Sequence, residues 1–338
     1  MPNPQIQYTF VLIEMFFYKR SIFLGIAVFI IATIAGCNRS ISAENIQEEN
    51  ALGGGEIALF TVKARVLLTS RFRDFEHFKS VVKIEYDKDY SKLDSSEYGQ
   101  SMVTLSYLSN GQLISRSMKS GVSQGDLMSA KDTNNIGKLA FTLKNPYPVR
   151  LRKSLDCIYT LARRKLELGL YDIAFYDLAE TSMRHIITPE LAFKNKRDSS
   201  EKGYINTFNH VTAQAIITSF FSAELADFIS DLHELKGMPT LTTGIFTNNQ
   251  LLDSVNNPLD NYIDIINNEI GQEIGLILKA KYNINRKTIC TPILIADYLN
   301  DIQRYYMWAL EIGLKPYEPN DKLIVKFSAK INTVLKKL

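Results

Sequence analysis

The spacing of apolar positions divides the chain into a part that predicts strands and a longer part that predicts helices. Apolar and β-branched residues alternate with polar ones at 57–68 and 81–86, as in half-buried strands. Residues 102–117 predict a hairpin, because Asn110-Gly111 supplies the two positive φ angles of a tight turn. We therefore expect a small β-rich module at 57–145, with a loop at 118–136.

From residue 146 onward, apolar residues recur at spacings of three and four, the pattern of helices with one buried face. The pattern predicts helices at 149–168, 172–185, 205–220, 222–236, 258–282, 291–313 and 321–337. The connection at 237–257 is rich in Gly, Thr and Asn and is predicted to be a surface loop over a site. The expected fold is α+β and mostly α, with a larger all-helical domain at 146–338.

The N-terminus carries the pattern of an export signal. Lys19 and Arg20 precede residues 21–35, an apolar run of 15 residues without a charge. Such a run matches the hydrophobic part of a signal peptide and is shorter than the ~20 residues that span a bilayer. It ends in Ile34-Ala35-Gly36-Cys37, which resembles the lipobox of bacterial lipoproteins, with Ile34 in place of the more usual Leu.

This resemblance implies cleavage before Cys37, acylation of Cys37 by palmitate or a similar chain, and anchoring to a membrane of the cell envelope. Residues 1–36 would be the signal peptide, and the polar, Gly-rich stretch 37–56 a flexible tether. Asn38 after the cysteine favours the outer membrane if the organism has two membranes. The alternatives are a buried core helix or an uncleaved anchor, and Met15 is an alternative start to Met1.

The charge balance argues against a nucleic-acid-binding protein. The chain has 39 basic and 36 acidic residues, and Lys19, Arg20 and Glu14 lie in the predicted signal peptide. The remaining 302 residues carry 37 basic and 35 acidic side chains, without the basic excess that binding to phosphates requires. Nucleic acid is therefore not an expected partner.

Two cysteines remain besides Cys37. Cys157 and Cys290 would lie in an oxidising compartment, where such a pair can form a disulfide. The sequence does not give the distance between them, so a bridge and two buried free thiols both stay open.

Polar residues interrupt three of the predicted apolar helices. Asn206 and His210 are four residues apart and share a helix face, and Asp231 and Glu234 lie on adjoining faces. On a third helix, one side carries Asp264, Asn267, Asn268 and Gly271. Gly271 has no Cβ and predicts the close approach of another helix or a ligand.

These three stretches form the ordered motifs N-x-F-x-H, D-x-H-E and D-x-x-N-N-x-x-G. They resemble an uncharacterised helical domain of bacterial secreted proteins, lipoproteins and polymorphic toxins, over about residues 200–280. The matching positions are Asn206, Phe208, His210, Asp231, His233, Glu234, Asp264, Asn267, Asn268 and Gly271. The chain departs from the family at Asn209, where Arg is usual, and at Ala213, where an aromatic residue is usual. The resemblance implies a helical architecture, and the departures imply a changed substrate or a lost activity.

The predicted catalytic residues are His210, Asp231, His233 and Glu234, and the predicted ligand-orienting residues are Asn206, Asp264, Asn267 and Asn268. Such groups hold a divalent metal ion that activates water, or act as acid and base on a hydrolysable bond. Because neighbouring helix residues point about 100° apart, His233 and Glu234 are not expected to bind one ion.

The predicted function is therefore a membrane-anchored envelope lipoprotein with a hydrolase-like helical domain that acts on cell-wall or lipid material. The cofactor stays open, with a divalent metal as one alternative. The competing hypothesis is a non-enzymatic lipoprotein that binds a protein partner or a cell-wall polymer. In that case the polar residues would be a buried hydrogen-bond network that fixes the helices.

Overall fold

The computed structural model describes residues 62–86, 102–119, 134–144, 151–162 and 172–338. The predicted signal peptide, the lipidated cysteine and the tether lie outside these residues. All described residues belong to one compact unit, Leu59–Leu338.

The described part is mostly helical, with one small antiparallel sheet, which confirms the predicted α+β, mostly α fold class. Its strands are β1 (Val82–Tyr86), β2 (Met102–Ser109) and β3 (Gln112–Lys119). Its α-helices are α1 (Phe75–Val81), α2 (Asn135–Lys144), α3 (Arg152–Ala162), α4 (Phe175–Arg184), α5 (Pro189–Ala192), α6 (Tyr204–Phe220), α7 (Ala223–Gly237), α8 (Asn248–Leu252), α9 (Pro258–Lys281), α10 (Pro292–Leu310) and α11 (Lys322–Leu335).

The sheet contains the predicted hairpin. The strand order is β1-β2-β3, and β2 and β3 pair in antiparallel register up to Ser109 and Gln112. Asn110 and Gly111 have φ angles of 51° and 76°, as the two central residues of a type I′ turn require. Val103, Leu105 and Tyr107 alternate on the buried face of β2, so the pleat sends one side of the sheet into the core.

The described part of the predicted strand at 57–68 is extended but pairs with none of the described strands. Val62, Ala64, Val66 and Leu68 are buried in alternation, as the pattern predicted. Side chains of distant helices, rather than a neighbouring strand, satisfy backbone groups of this segment. The alternation of apolar and polar residues indicates an extended chain with one buried face, but it does not show which groups form hydrogen bonds with its backbone.

Two helices occupy the region that was predicted to be β-rich. Helix α1 begins after Asp74, whose side chain accepts a hydrogen bond from the His77 backbone N–H, and helix α2 lies at Asn135–Lys144. An N-cap of this type offsets the cost of a short helix. The predicted loop at 237–257 contains a 3₁₀ turn at Pro239–Thr242 and the short helix α8.

Helices α6, α7 and α9 form the centre of the helical part. Helix α6 packs along α9, and α7 packs against both. Serine or asparagine side chains cap two of these helices, at Ser222 before α7 and Asn257 before α9. The observed bounds of all three helices agree with the predicted ones to within one residue at each end.

Cys157 and Cys290 are both free and buried, so of the two alternatives the structure has the free thiols. None of the helices in the described part combines the length and the apolar character needed to cross a bilayer.

Candidate functional site

A row of polar side chain pairs joins α6 and the residues before it to α9. Each pair is separated by 58 positions in the sequence: Lys202 with Asp260, Asn206 with Asp264, His210 with Asn268, and Gln214 with Gln272. We call this row the polar seam. A constant separation at successive helical turns means that the two helices run in the same direction, with matching faces turned to each other.

Two glycines of α9 allow the helices to lie so close together. A Cβ on Gly271 would lie 2.6 Å from the Val211 carbonyl oxygen, and one on Gly275 would lie 2.6 Å from the Ala215 carbonyl oxygen. Both distances are shorter than any normal contact, so side chains at these positions would force the helices apart. The predicted close approach at Gly271 is therefore made by a helix.

His210 lies at the middle of the polar seam, with its side chain 14% exposed. Its Nδ1 lies 2.8 Å from Asn268 Oδ1, which can only accept, so Nδ1 carries a proton in this arrangement. Its Nε2 lies 3.3 Å from Asp264 Oδ2. Burial by itself would lower the pKa of His210, but the charge and hydrogen bond of Asp264 and the charge of Glu234 raise it to about 10.

Glu234 reaches the same place from α7. It is 2% exposed, and its Oε1 is buried without a hydrogen-bond partner among the described residues. Burial, followed by the charges of Asp264 and Asp260, raises the pKa of Glu234 well above its usual value, against the opposing effects of His210 and Asn268. A carboxyl group in these surroundings keeps its proton at a higher pH than an exposed glutamate does.

Three helices thus bring three titratable groups together. His210, Glu234 and Asp264 each offer one ligand atom, and these atoms all lie within 4.8 Å of one another. The outer oxygen of Asp264, Oδ1, accepts a hydrogen bond of 2.8 Å from Asn206 Nδ2. We call His210, Glu234 and Asp264 the triad. An imidazole and two carboxylates can exchange protons with a bound molecule or share a metal ion.

The Lys202 end of the polar seam contains a further buried carboxylate, Asp260, which was not among the predicted site residues. Asp260 pairs with Lys202 and accepts a hydrogen bond of 3.0 Å from Thr69 Oγ1. Burial and the charge of Asp264 raise the pKa of Asp260 to about 6, although Lys202 opposes the shift. Its spacing of four residues before Asp264 was a visible signal, because both then share one face of a helix.

The other predicted site residues lie outside the triad. His233 is exposed, and it is not one of the residues whose ligand atoms converge. Asp231 is buried, one turn before Glu234, but it is not one of the residues whose ligand atoms converge. Asn267 is fully buried and holds the backbone of Leu67, donating to its carbonyl oxygen and accepting from its N–H, both at 2.9 Å.

Of the eight predicted residues, the structure therefore brings five together: the triad with Asn206 and Asn268. Glu234 enters the site and the exposed His233 does not, as expected for neighbouring helix residues that point about 100° apart. Comparison of the chain with protein-family models, with curated proteins and with solved structures gives no match.

Proposed function

We propose that this protein is a lipid-anchored protein of the bacterial cell envelope whose helical part is a hydrolase-like enzyme centred on the triad. The observation that carries the proposal is the convergence of His210, Glu234 and Asp264 from three helices, with one buried oxygen of Glu234 that has no hydrogen-bond partner among the described residues. Buried polar atoms in folded proteins are nearly always paired, so an unpaired carboxylate oxygen beside two other titratable groups indicates a site that acts on a further molecule.

The chemistry of the triad suits hydrolysis. The raised pKa of Glu234 favours its protonated form, which is the form that can donate a proton to a leaving group. The Asp264 carboxylate, held by Asn206 and His210, can accept the proton of an attacking water, whose oxygen forms the new bond. One proton is taken up and one is given, so water is added across the broken bond. Asn268 contacts His210 and Glu234 and keeps both groups oriented.

The lipobox-like sequence at Cys37 supports the location. A protein tethered there by an acyl chain reaches lipid headgroups and cell-wall polymer, so we propose these as its substrate classes. In an organism with two membranes, Asn38 favours the outer membrane. Cys37→Ser is expected to move the protein from the membrane fraction to the soluble fraction of lysed cells, as seen by immunoblotting. Retention of this variant in the membrane would contradict the lipid anchor.

The activity is tested with the full-length chain, incubated with isolated cell-wall polymer and with phospholipid vesicles, followed by mass spectrometry of released products. The wild-type protein is expected to release a product, and Glu234→Gln, which has the same size without the titratable proton, is expected to lose that release. His233→Ala is the matched control, since it changes the neighbouring exposed residue. Equal activity of wild type and Glu234→Gln would refute the assignment.

A second candidate is the non-enzymatic envelope lipoprotein, whose polar residues serve only to fix the helices. It is favoured by the amides of Asn206 and Asn268, which are hydrogen-bonded to triad residues within the protein. In this case no substrate is cleaved, and Glu234→Gln is at least as stable as the wild type, because a neutral amide is easier to bury than a carboxyl that can ionise.

A further inference from the structure

We infer that His210, Glu234 and Asp264 form a binding site for one divalent transition-metal ion, with His210 Nε2 and one oxygen of each carboxylate as ligands. The ion would supply the water-activating centre of the proposed hydrolase, and in this sense the inference rests on the proposed function. Metal binding itself can be measured without a substrate.

The separations between donor atoms suit such an ion. Zinc binds imidazole nitrogen and carboxylate oxygen at about 2.1 Å, so two ligands of a tetrahedral site lie about 3.4 Å apart. His210 Nε2 and Asp264 Oδ2 are 3.3 Å apart. The third donor, from Glu234, lies within 4.8 Å of the other two. A change in the torsion angles of one glutamate side chain would complete the three-ligand arrangement.

The atoms that would not bind the ion are already held by the protein. His210 Nδ1 bonds to Asn268 Oδ1, so Nε2 is the nitrogen that would bind the ion once it has released its proton. Asp264 Oδ1 accepts from Asn206 Nδ2, which leaves Oδ2 directed at His210. Metal sites in proteins commonly hold the far side of their histidine and carboxylate ligands in this way, because it fixes the ligand orientation.

Glu234 supplies a second, independent observation that points to a ligand. Its Oε1 is buried without a hydrogen-bond partner in the described part of the chain, and one oxygen of the same carboxyl group lies within 4.8 Å of the other two donors. Leaving such an oxygen unpaired is costly, and a cation would satisfy it. Binding of the ion would displace the protons of His210 Nε2 and Glu234. The filled site would then carry no net charge, since the dication balances the carboxylates of Glu234 and Asp264 beside a neutral imidazole.

The donor set identifies the class of ion. One imidazole nitrogen with two carboxylates suits ions between manganese and zinc, whereas Ca²⁺ requires six to eight oxygen ligands. Three protein ligands leave at least one position for water, which is the arrangement of catalytic rather than structural zinc sites. With an ion bound, Glu234 would be a ligand, and the activation of water would pass to the metal.

The test uses the full-length chain in detergent, freed of metal with a chelator and titrated with Zn²⁺, Mn²⁺, Mg²⁺ and Ca²⁺ by isothermal calorimetry. We expect one Zn²⁺ per chain, weaker binding of Mn²⁺, and the weakest binding of Mg²⁺ and Ca²⁺. Glu234→Gln should weaken Zn²⁺ binding by at least about ten-fold. His233→Ala, the matched control, should leave it unchanged, since its exposed imidazole is outside the site.

A thermal unfolding scan shows whether each variant is folded, so that a loss of Zn²⁺ binding is not confused with a folding defect. Zn²⁺ should raise the unfolding temperature of the wild type and of His233→Ala but not that of Glu234→Gln. His210→Gln serves the same purpose if Glu234→Gln does not fold. Absence of Zn²⁺ binding by the wild type, equal binding by Glu234→Gln, or loss of binding in His233→Ala alone would overturn the inference.

The outcomes also separate this inference from the proposed function. Stoichiometric Zn²⁺ binding without release of any product would uphold the metal site and refute the hydrolase. Release of product that persists in excess chelator, together with absence of Zn²⁺ binding in the calorimeter, would uphold the hydrolase and refute the metal site.

Discussion

The contact between α6 and α9 gives the most direct prediction on stability. Gly271→Ala adds one methyl group at the point where the helices touch. The new Cβ would lie 2.6 Å from the Val211 carbonyl oxygen, 3.0 Å from Val211 Cα and 2.8 Å from Gln214 Cβ. Two of these atoms are backbone, so no side-chain rotation relieves the overlap. The helices must separate by about 0.8 Å to bring the shortest distance from 2.6 Å to the 3.4 Å of an ordinary contact.

Two opposing terms set the magnitude. Alanine is intrinsically better than glycine inside a helix by about 1 kcal/mol. Overpacking of a close-packed interior costs about 1–3 kcal/mol, and a clash against backbone belongs at the upper end of that range. We therefore expect Gly271→Ala to lower the free energy of unfolding by about 1–2 kcal/mol. The separation also lengthens the hydrogen bond between His210 and Asn268, so Zn²⁺ binding should weaken in parallel.

The assay is urea denaturation followed by circular dichroism, with the Zn²⁺ titration on the same preparations. Gly237→Ala, in the last turn of α7, is the matched control, because among the described residues no atom outside its own helix backbone and chain neighbours lies closer than 3.8 Å to its new Cβ. It should change stability by no more than about 0.5 kcal/mol. If Gly271→Ala were as stable as the wild type, the close contact between the helices would be refuted.

Three further predictions concern other parts of the molecule. Asn267→Leu leaves the Leu67 N–H unpaired, while the Leu67 carbonyl oxygen keeps the hydrogen bond from Thr207 Oγ1, so it should lower the free energy of unfolding by about 1–3 kcal/mol in urea titrations, without the selective loss of Zn²⁺ binding expected of Glu234→Gln. Burial raises the pKa of Cys157, and that of Cys290 to about 12, so both thiols should react with a thiol reagent only after unfolding, which absorbance measures directly. The fold raises the pKa of Asp260 from 3.8 to about 6, so its contribution to stability is complete below pH 4 and is lost as the pH rises through 6. Asp260→Asn should flatten this part of the stability curve, and an unchanged curve would contradict the shift.

The sequence predicts the local structure of the helical part well. Helix α9 was predicted at 258–282 and is observed at Pro258–Lys281, because Asn257 caps it, Pro258 fits its first turn and its apolar positions follow the helical period. The hairpin turn could also be predicted, since Asn and Gly are the residues that most readily adopt the positive φ angles observed at Asn110 and Gly111. These features depend on neighbours in the sequence, which a single sequence contains.

The long-range partners could not be read in this way. Periodicity places Asn267 and Asn268 on one side of α9, but only the packing shows that Asn267 binds Leu67, 200 positions away, while Asn268 enters the polar seam. Likewise the pairing of Lys202 with Asp260 depends on how α6 lies against α9. The residue types of the site could be predicted from the sequence. Which of them hold the fold, as Asn267 does, and which enter the site, as Asn268 does, is decided by the three-dimensional packing.

The extended segment at 62–68 has a mechanical consequence. Its hydrogen bonds to Asn267 and Tyr305 connect the chain arriving from the N-terminal side directly to α9 and α10. A pull along the chain from that side is therefore borne by several side-chain bonds loaded together, rather than by a sheet that opens one bond at a time. One of those bonds ends on Asn267, which is next to Asn268. A force on the N-terminal side of the segment would therefore act one residue away from the side chain that hydrogen-bonds to His210.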